Sequence, residues 1–170
     1  SASGSGVTIA RVLIALDPLK RAVEWDTGAM ADATNPDLPS PRTVITFGTF
    51  DVFHVGHLRM IQRAGALGDR LVVGVSAAAL NERKKGRAPV YSEAERMEIV
   101  AGLSAVDEVF LEESLEQKRD YIVRFGADLL VMGDDWTGKF DEMAEVCEVV
   151  YLPRTPAIST TALIEKISGS

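Results

Sequence analysis

Cysteine is almost missing from this chain: Cys147 is its single one in 170 residues. That excludes an internal disulfide and a cysteine-based zinc site, and it fits a reducing, cytoplasmic setting. Histidine is scarce too, with only His54 and His57. Positive charge is in deficit, since 18 Lys and Arg stand against 25 Asp and Glu for a net charge of −7. A general nucleic-acid or membrane-surface binder needs spare positive charge, so neither class fits. An anionic substrate would require a local cluster of cations. No apolar run approaches ~18 residues, so no transmembrane helix is expected. What remains is a chain of ordinary globular composition, long enough for one domain with a sizeable core.

The chain is organised around Val44 to Leu67. Val44-Ile45-Thr46-Phe47 reads as a buried strand, Gly48-Thr49 as a break, and a helical pattern starts near Gly56. A strand running through a glycine turn into a helix presents backbone N–H groups and a helix N-terminus to a phosphate. His54 and His57 flank that helix start and can point at one spot.

Further strands are expected at Arg70–Ser76, Val106–Leu111, Asp128–Met132 and Glu148–Leu152. The helices between them are expected to close at Gly68, to span Ala77–Glu82, to run from a Ser92/Glu95 capping box to Leu103, to start at a Ser114/Gln117 box and end at Gly126, and to cover Lys139–Val146. Ser159 caps a last helix, Thr160–Ile167. Strands alternating with helices imply an α/β fold: a five-stranded parallel sheet with helices on both faces. Ser1–Gly6 has no initiator Met and reads as a cloning remnant. Val7–Pro41, rich in proline at its end, reads as an N-terminal arm and linker, with the main domain over 42–170. The arm is either a loosely packed extension or a segment that packs on a partner subunit.

Ligands in such a sheet sit beyond the carboxyl ends of the strands. The loops there carry His54 and His57; Lys84, Lys85 and Arg87; Asp134, Asp135 and Trp136; and Arg154 with Ser159-Thr160-Thr161. An acidic chain that gathers its cations at one end builds an anion site. His54 and His57 suit phosphate contact, because imidazole N–H groups can donate to oxygens whose charge grows in a transition state. A metal is the weaker alternative, with no third His and no Cys nearby. Gly56 permits close approach of a phosphate. Arg96 has two readings, a phosphate ligand or a helix ion pair with Glu93, Glu95 or Glu98. Asp51 can accept from substrate or orient its loop. Met60, Ile61, Ala64 and Leu67 fall at helical spacing and belong to the core.

The run Gly48-Thr49-Phe50-Asp51-Val52-Phe53-His54-Val55-Gly56-His57 is similar to the GTFDxxHxGH signature of the cytidylyltransferases, within the HxGH nucleotidyltransferases. Val131–Asp141 and Arg154–Thr161 resemble the later blocks of that family. The likeness is greatest to the glycerol-3-phosphate cytidylyltransferases of teichoic-acid and capsule synthesis, and it covers Arg42 to Ile167. It implies a Rossmann-like nucleotidyltransferase that uses CTP, Mg²⁺ and a polyol phosphate, most simply glycerol 3-phosphate, and releases pyrophosphate. By the same resemblance, His54, His57, Arg96 and Lys84 or Lys85 are catalytic or clamp phosphates. Gly48, Thr49, Phe50, Gly56, Asp134, Arg154, Ser159 and Thr160 bind nucleotide, while Asp51, Asp135 and Trp136 lie near substrate or cytosine. A homodimer is implied as well. Two features depart from the pattern. Pro156-Ala157 stand where the family commonly has Glu-Gly, and the arm before Arg42 lies outside its minimal domain. A nucleotide-binding regulatory domain without turnover, an adenylyltransferase, or an enzyme for another polyol phosphate such as ribitol 5-phosphate are the competing expectations.

Overall fold

The computed structural model describes residues 40–86, 88–156 and 158–169, with the backbone alone at Lys84 and Lys85. The arm expected before Ser40 lies outside the described residues. Five parallel strands form one sheet: β1 (Thr43–Gly48), β2 (Arg70–Ser76), β3 (Glu108–Glu112), β4 (Leu129–Gly133) and β5 (Glu148–Leu152), in the order β3-β2-β1-β4-β5. Five helices connect or follow them: α1 (Val55–Gly65), α2 (Ala78–Lys85), α3 (Glu93–Ala101), α4 (Lys118–Phe125) and α5 (Thr160–Ser168).

Both faces of the sheet are covered, which is why its central strands are continuous apolar runs without alternation. Side chains still alternate in direction. Val44, Leu71, Val73, Leu129 and Val131 pack with Ile61, Ala64 and Val100 from α1 and α3. Ile45, Phe47, Val72, Leu130 and Met132 face the other way, onto Tyr121 and Ile122 of α4. The register places Ile45 between Val72 and Leu130. The amino ends of β1 and β2 are tied by carboxylates, with Asp128 accepting from the Thr43 N–H and Asp107 from the Leu71 N–H, each at 2.8 Å. The carboxyl ends are left open. The connection order reverses between β1 and β4, so a switch-point crevice opens there.

Several expected boundaries move. Helix α1 ends at Gly65 with Ala66 as its C-cap, two residues before the expected cap at Gly68. Gly68 serves packing: a Cβ there would lie 2.6 Å from the Arg42 carbonyl oxygen. Helix α2 runs on to Lys85, so the basic segment begins within it. The Ser92/Glu95 capping box forms. The expected Ser114/Gln117 box does not: Gln117 makes no side-chain cap, and Ser114 pairs with Glu116 instead. Gly126 ends α4 as expected, in the left-handed conformation (φ 57°) that glycine adopts without strain. Instead of an α-helix over Lys139–Val146 there is one 3-10 turn, Asp141–Glu145.

Candidate active site

The turn from β1 into α1 is the most constrained backbone of the described residues. Phe50 (φ 52°) and Val52 (φ 45°) both lie in the left-handed region without being glycine. For a β-branched residue such as Val52 this costs of order 1–3 kcal/mol, so the surroundings must hold it. They do so through Asp51, which is buried between the two. Its carboxylate accepts from the N–H groups of Val90 and Tyr91, both at 2.9 Å, and its carbonyl accepts from Thr160 Oγ1 at 3.1 Å.

That turn delivers His54 as the N-cap of α1. His54 Nδ1 accepts from the Gly56 N–H at 3.0 Å. The ring is therefore neutral with its proton on Nε2, and burial lowers its pKa below the ordinary 6.5. Nε2 lies 3.5 Å from Thr160 Oγ1, at the start of α5. His57, one turn along α1, stacks on His54 with ring centres 3.9 Å apart. Phe50 and Phe53 flank His57. Gly56 is required by crowding: a Cβ would come within 2.8 Å of the His54 ring. Across from this pair, Ser159 caps α5 by accepting from the Ala162 N–H at 3.1 Å. Two helix N-termini and two stacked imidazoles thus face one cavity of about 300 Å³. Their partial positive charge and N–H donors make that wall an anion site.

The cavity is lined by Gly48, Thr49, Phe50, Asp51, His54, Gly56, His57, Asp135, Trp136, Arg154, Ser159 and Thr160, all brought together from segments far apart in sequence. A family model described as cytidylyltransferase-like matches residues 45–170, which includes every one of these segments. The chain belongs to the cytidylyltransferase-like family. It is 48% identical over 128 residues to a glycerol-3-phosphate cytidylyltransferase of Bacillus subtilis, covering 75% of this chain and 98% of that protein. It is 38% identical over 128 residues to a glycerol-3-phosphate cytidylyltransferase of Staphylococcus aureus, covering 75% and 96%. A lipopolysaccharide core biosynthesis protein of Thermoplasma volcanium shares the fold (TM-score 0.58, 23% identity, 68% of this chain and 98% of that one).

Not every residue expected at this cytidylyltransferase-like site faces the cavity. Arg96 departs from the phosphate-clamp expectation. Its side chain is fully buried, and its guanidinium donates to three carbonyls: Tyr91 through Nε at 3.2 Å, and Thr49 and Ser76 through Nη1 at 2.8 and 2.7 Å. Burial lowers its pKa, opposed by Asp51 and Glu93. The reason is tertiary: the ends of β1 and β2 turn their carbonyls toward α3, and Arg96 is the donor that reaches both. It forms no helix ion pair within 4 Å. Asp134 is exposed and outside the lining, where its carbonyl holds Thr137 in a turn. Asp51 lines the cavity, yet both of its carboxylate oxygens are taken up by backbone. The side chains of Lys84 and Lys85, and all of Arg87, lie outside the described residues.

Sequence reasoning missed another part of the lining: Ser76, Asn81, Glu112, Leu115 and Lys118. One signal for it existed. Lys118 falls on the apolar i, i+3, i+4, i+7 face of Tyr121, Ile122 and Phe125, where a lysine is out of place.

Proposed function

We propose that this chain transfers a cytidylyl group from CTP to glycerol 3-phosphate, giving CDP-glycerol and pyrophosphate. The observation that carries this reading is the stacked His54–His57 pair opposite the α5 N-terminus. A phosphate oxygen of the acceptor attacks the α-phosphorus of CTP, and the bond from that phosphorus to the β-phosphate oxygen breaks. Pyrophosphate leaves with the bonding electrons. Catalysis of this kind is positioning plus stabilisation of charge on the phosphoryl oxygens. The Nε2–H of His54 and the ring of His57 face the α-phosphate. Ser159 and Thr160, with the free N–H groups of the first α5 turn, hold the β- and γ-phosphates. Gly48, Thr49 and Phe50 pack on the nucleotide, and Arg154 with the Asp135–Trp136 turn closes over the cytidine end. Lys84 or Lys85 supplies a cation to the triphosphate. Arg96 acts from behind as a positioning residue.

Among the described residues no group of three or more His, Cys, Asp or Glu could hold a metal ion. Mg²⁺ usually takes one or two carboxylates plus phosphate oxygens of its substrate, and the ion is taken to enter on the nucleotide phosphates as part of the substrate. We take residues 42–170 as the catalytic unit. The proposed setting is the cytoplasm, as a homodimer that supplies cell-surface polymer synthesis. The described residues contain no helix long and apolar enough to cross a membrane.

The test is pyrophosphate release from CTP, Mg²⁺ and glycerol 3-phosphate, with ribitol 5-phosphate and ATP as competitors. Release with glycerol 3-phosphate is expected. Release only with ribitol 5-phosphate moves the acceptor, and faster turnover with ATP moves the nucleotide. No release with any acceptor, alongside retained CTP binding, leaves a regulatory nucleotide-binding domain.

A further inference from the structure

Helix α1 presents one stripe to the cavity: Gly56, His57, Met60 and Arg63 all line it. These positions share a face of the helix and span roughly 10 Å along its axis. Arg63 ends the stripe, and its Nη1 donates to the Pro153 carbonyl at 2.7 Å. That bond joins α1 to the loop after β5, 90 residues away in sequence. The loop carries Arg154 and leads into Ser159, the cap of α5.

Pro153 and Pro156 bracket Arg154-Thr155. Each proline fixes its own φ, offers no N–H, and keeps the residue before it extended. Such a segment moves as one stiff piece, and a single outside bond sets its direction. The Arg63 guanidinium is a charged donor, which makes that bond one of the stronger kind. Charge works against the arrangement. On the outer side of the loop, a groove is lined by Arg59, Arg63 and Arg154 with no carboxylate. Among the described residues neither Arg59 nor Arg63 has an acidic partner within 4 Å, and Arg154 Nε lies 3.9 Å from Asp135. Like charges four residues apart on a helix repel, so stability alone does not call for an arginine at 63.

We propose that Arg63 is a positioning residue: it latches the Pro153–Pro156 loop onto α1 and so holds Arg154 in the cavity wall. The effect on nucleotide rests on the cytidylyltransferase reading above, in which Arg154 closes over the cytidine end. The latch itself does not. One helix carries both His57 and the latch, so the histidines and Arg154 keep a fixed spacing. A loop released from Arg63 samples other directions, and the nucleotide must order it again on binding. That cost falls on CTP affinity and not on the acceptor.

Limited trypsin digestion of the full chain reads the latch without any ligand, since Arg154 is exposed and the bond after it is a trypsin site. Arg63→Met keeps the stem and loses the donors. It is expected to speed cleavage after Arg154 at least ~10-fold relative to cleavage elsewhere in the chain, because local opening becomes easier. Its Tm should stay within about 2 °C of wild type. Arg63→Lys keeps one charged donor and should cleave within about threefold of the wild-type rate. Calorimetric titration with CTP and Mg²⁺ reads the consequence. Arg63→Met should raise the Kd for CTP at least ~10-fold, but by less than about twofold in an Arg154→Ala background, because residues that act through one another do not add. Unchanged cleavage in Arg63→Met overturns the latch. So does a full further loss of CTP affinity in the Arg154→Ala background, which would put Arg63 on the nucleotide itself. A fall in Tm shared by Arg63→Lys also overturns it, in favour of a general role in folding. A protein that shows the latch by cleavage but binds no CTP, or binds it and releases no pyrophosphate, refutes the transferase reading and leaves the latch in place.

Discussion

The two walls of the cavity are built from different chemistry. The wall at β1, β4 and β5, which the proposed function gives to phosphates, offers two stacked imidazoles, hydroxyls and helix N-termini beside the exposed Arg154. The wall at β2 and β3 instead contains a buried ion pair, Lys118 with Glu112, joined by Ser76. The difference lies in how each responds to the reaction. Neutral N–H donors can strengthen as charge grows on a phosphoryl group, without having held the ground state too tightly. A buried carboxylate fixed by an ammonium keeps its place and its charge. Arg96 joins the two, because one nitrogen, Nη1, holds both the Thr49 carbonyl after β1 and the Ser76 carbonyl at the end of β2.

Breaking the joint should have the largest effect. Arg96→Met removes the donors of three carbonyls, each left unsatisfied at about 1–3 kcal/mol. The expected loss is about 3 kcal/mol or more of unfolding free energy in urea, and about 10 °C in Tm. An unchanged melting curve would mean the walls hold their spacing without it. The nucleotide wall comes next. His57→Ala is expected to lower kcat at least ~100-fold, because a lost transition-state donor costs about 3 kcal/mol, with little change in the KM for glycerol 3-phosphate. A rise confined to the acceptor KM would reverse the assignment of the walls. Gly56→Ala pushes a Cβ into the His54 ring, and roughly a 10-fold loss of kcat, of order the cost of an off-rotamer side chain, should follow. Retained activity would show that the ring can shift without penalty.

The smallest effect is with pH. Folding holds the His54 pKa below its ordinary 6.5, so the unfolded chain binds the proton more readily. Stability is complete above about pH 6.5 and is lost as pH falls through the lowered folded-state value. Thermal melts in this window should show that slope, and His54→Asn, which can still cap α1, should remove it.

Much of this was legible in the sequence, for reasons that differ by element. Parallel strands covered on both faces must be continuous apolar runs, and β1, β2 and β5 stood at their expected places. The histidine pair was legible because its whole geometry lies within one strand, one turn and one helix start. The second wall was not. Glu112 and Ser76 are 36 residues apart, and they meet only because β3 lies beside β2. The Arg96 partners were equally hidden. Helical spacing pointed to Glu93, Glu95 or Glu98, while the carbonyls it meets belong to two loop residues, Thr49 and Tyr91, and the end of β2, Ser76, brought together by the fold. The missing helix at Lys139–Val146 failed for a local reason: Tyr151 on β5 ties Asp141 and the Phe140 N–H through its hydroxyl, and the chain has room for one tight turn.

The His54–Gly56 hydrogen bond has a practical corollary. One amide proton is tied directly to a single nitrogen of the reacting ring. When that nitrogen gains a proton it stops accepting, and the amide is released to solvent. The ¹⁵N-labelled Gly56 signal is thus a built-in indicator, whose chemical shift and exchange rate follow the ionisation of His54 in the resting protein and through each stage of turnover.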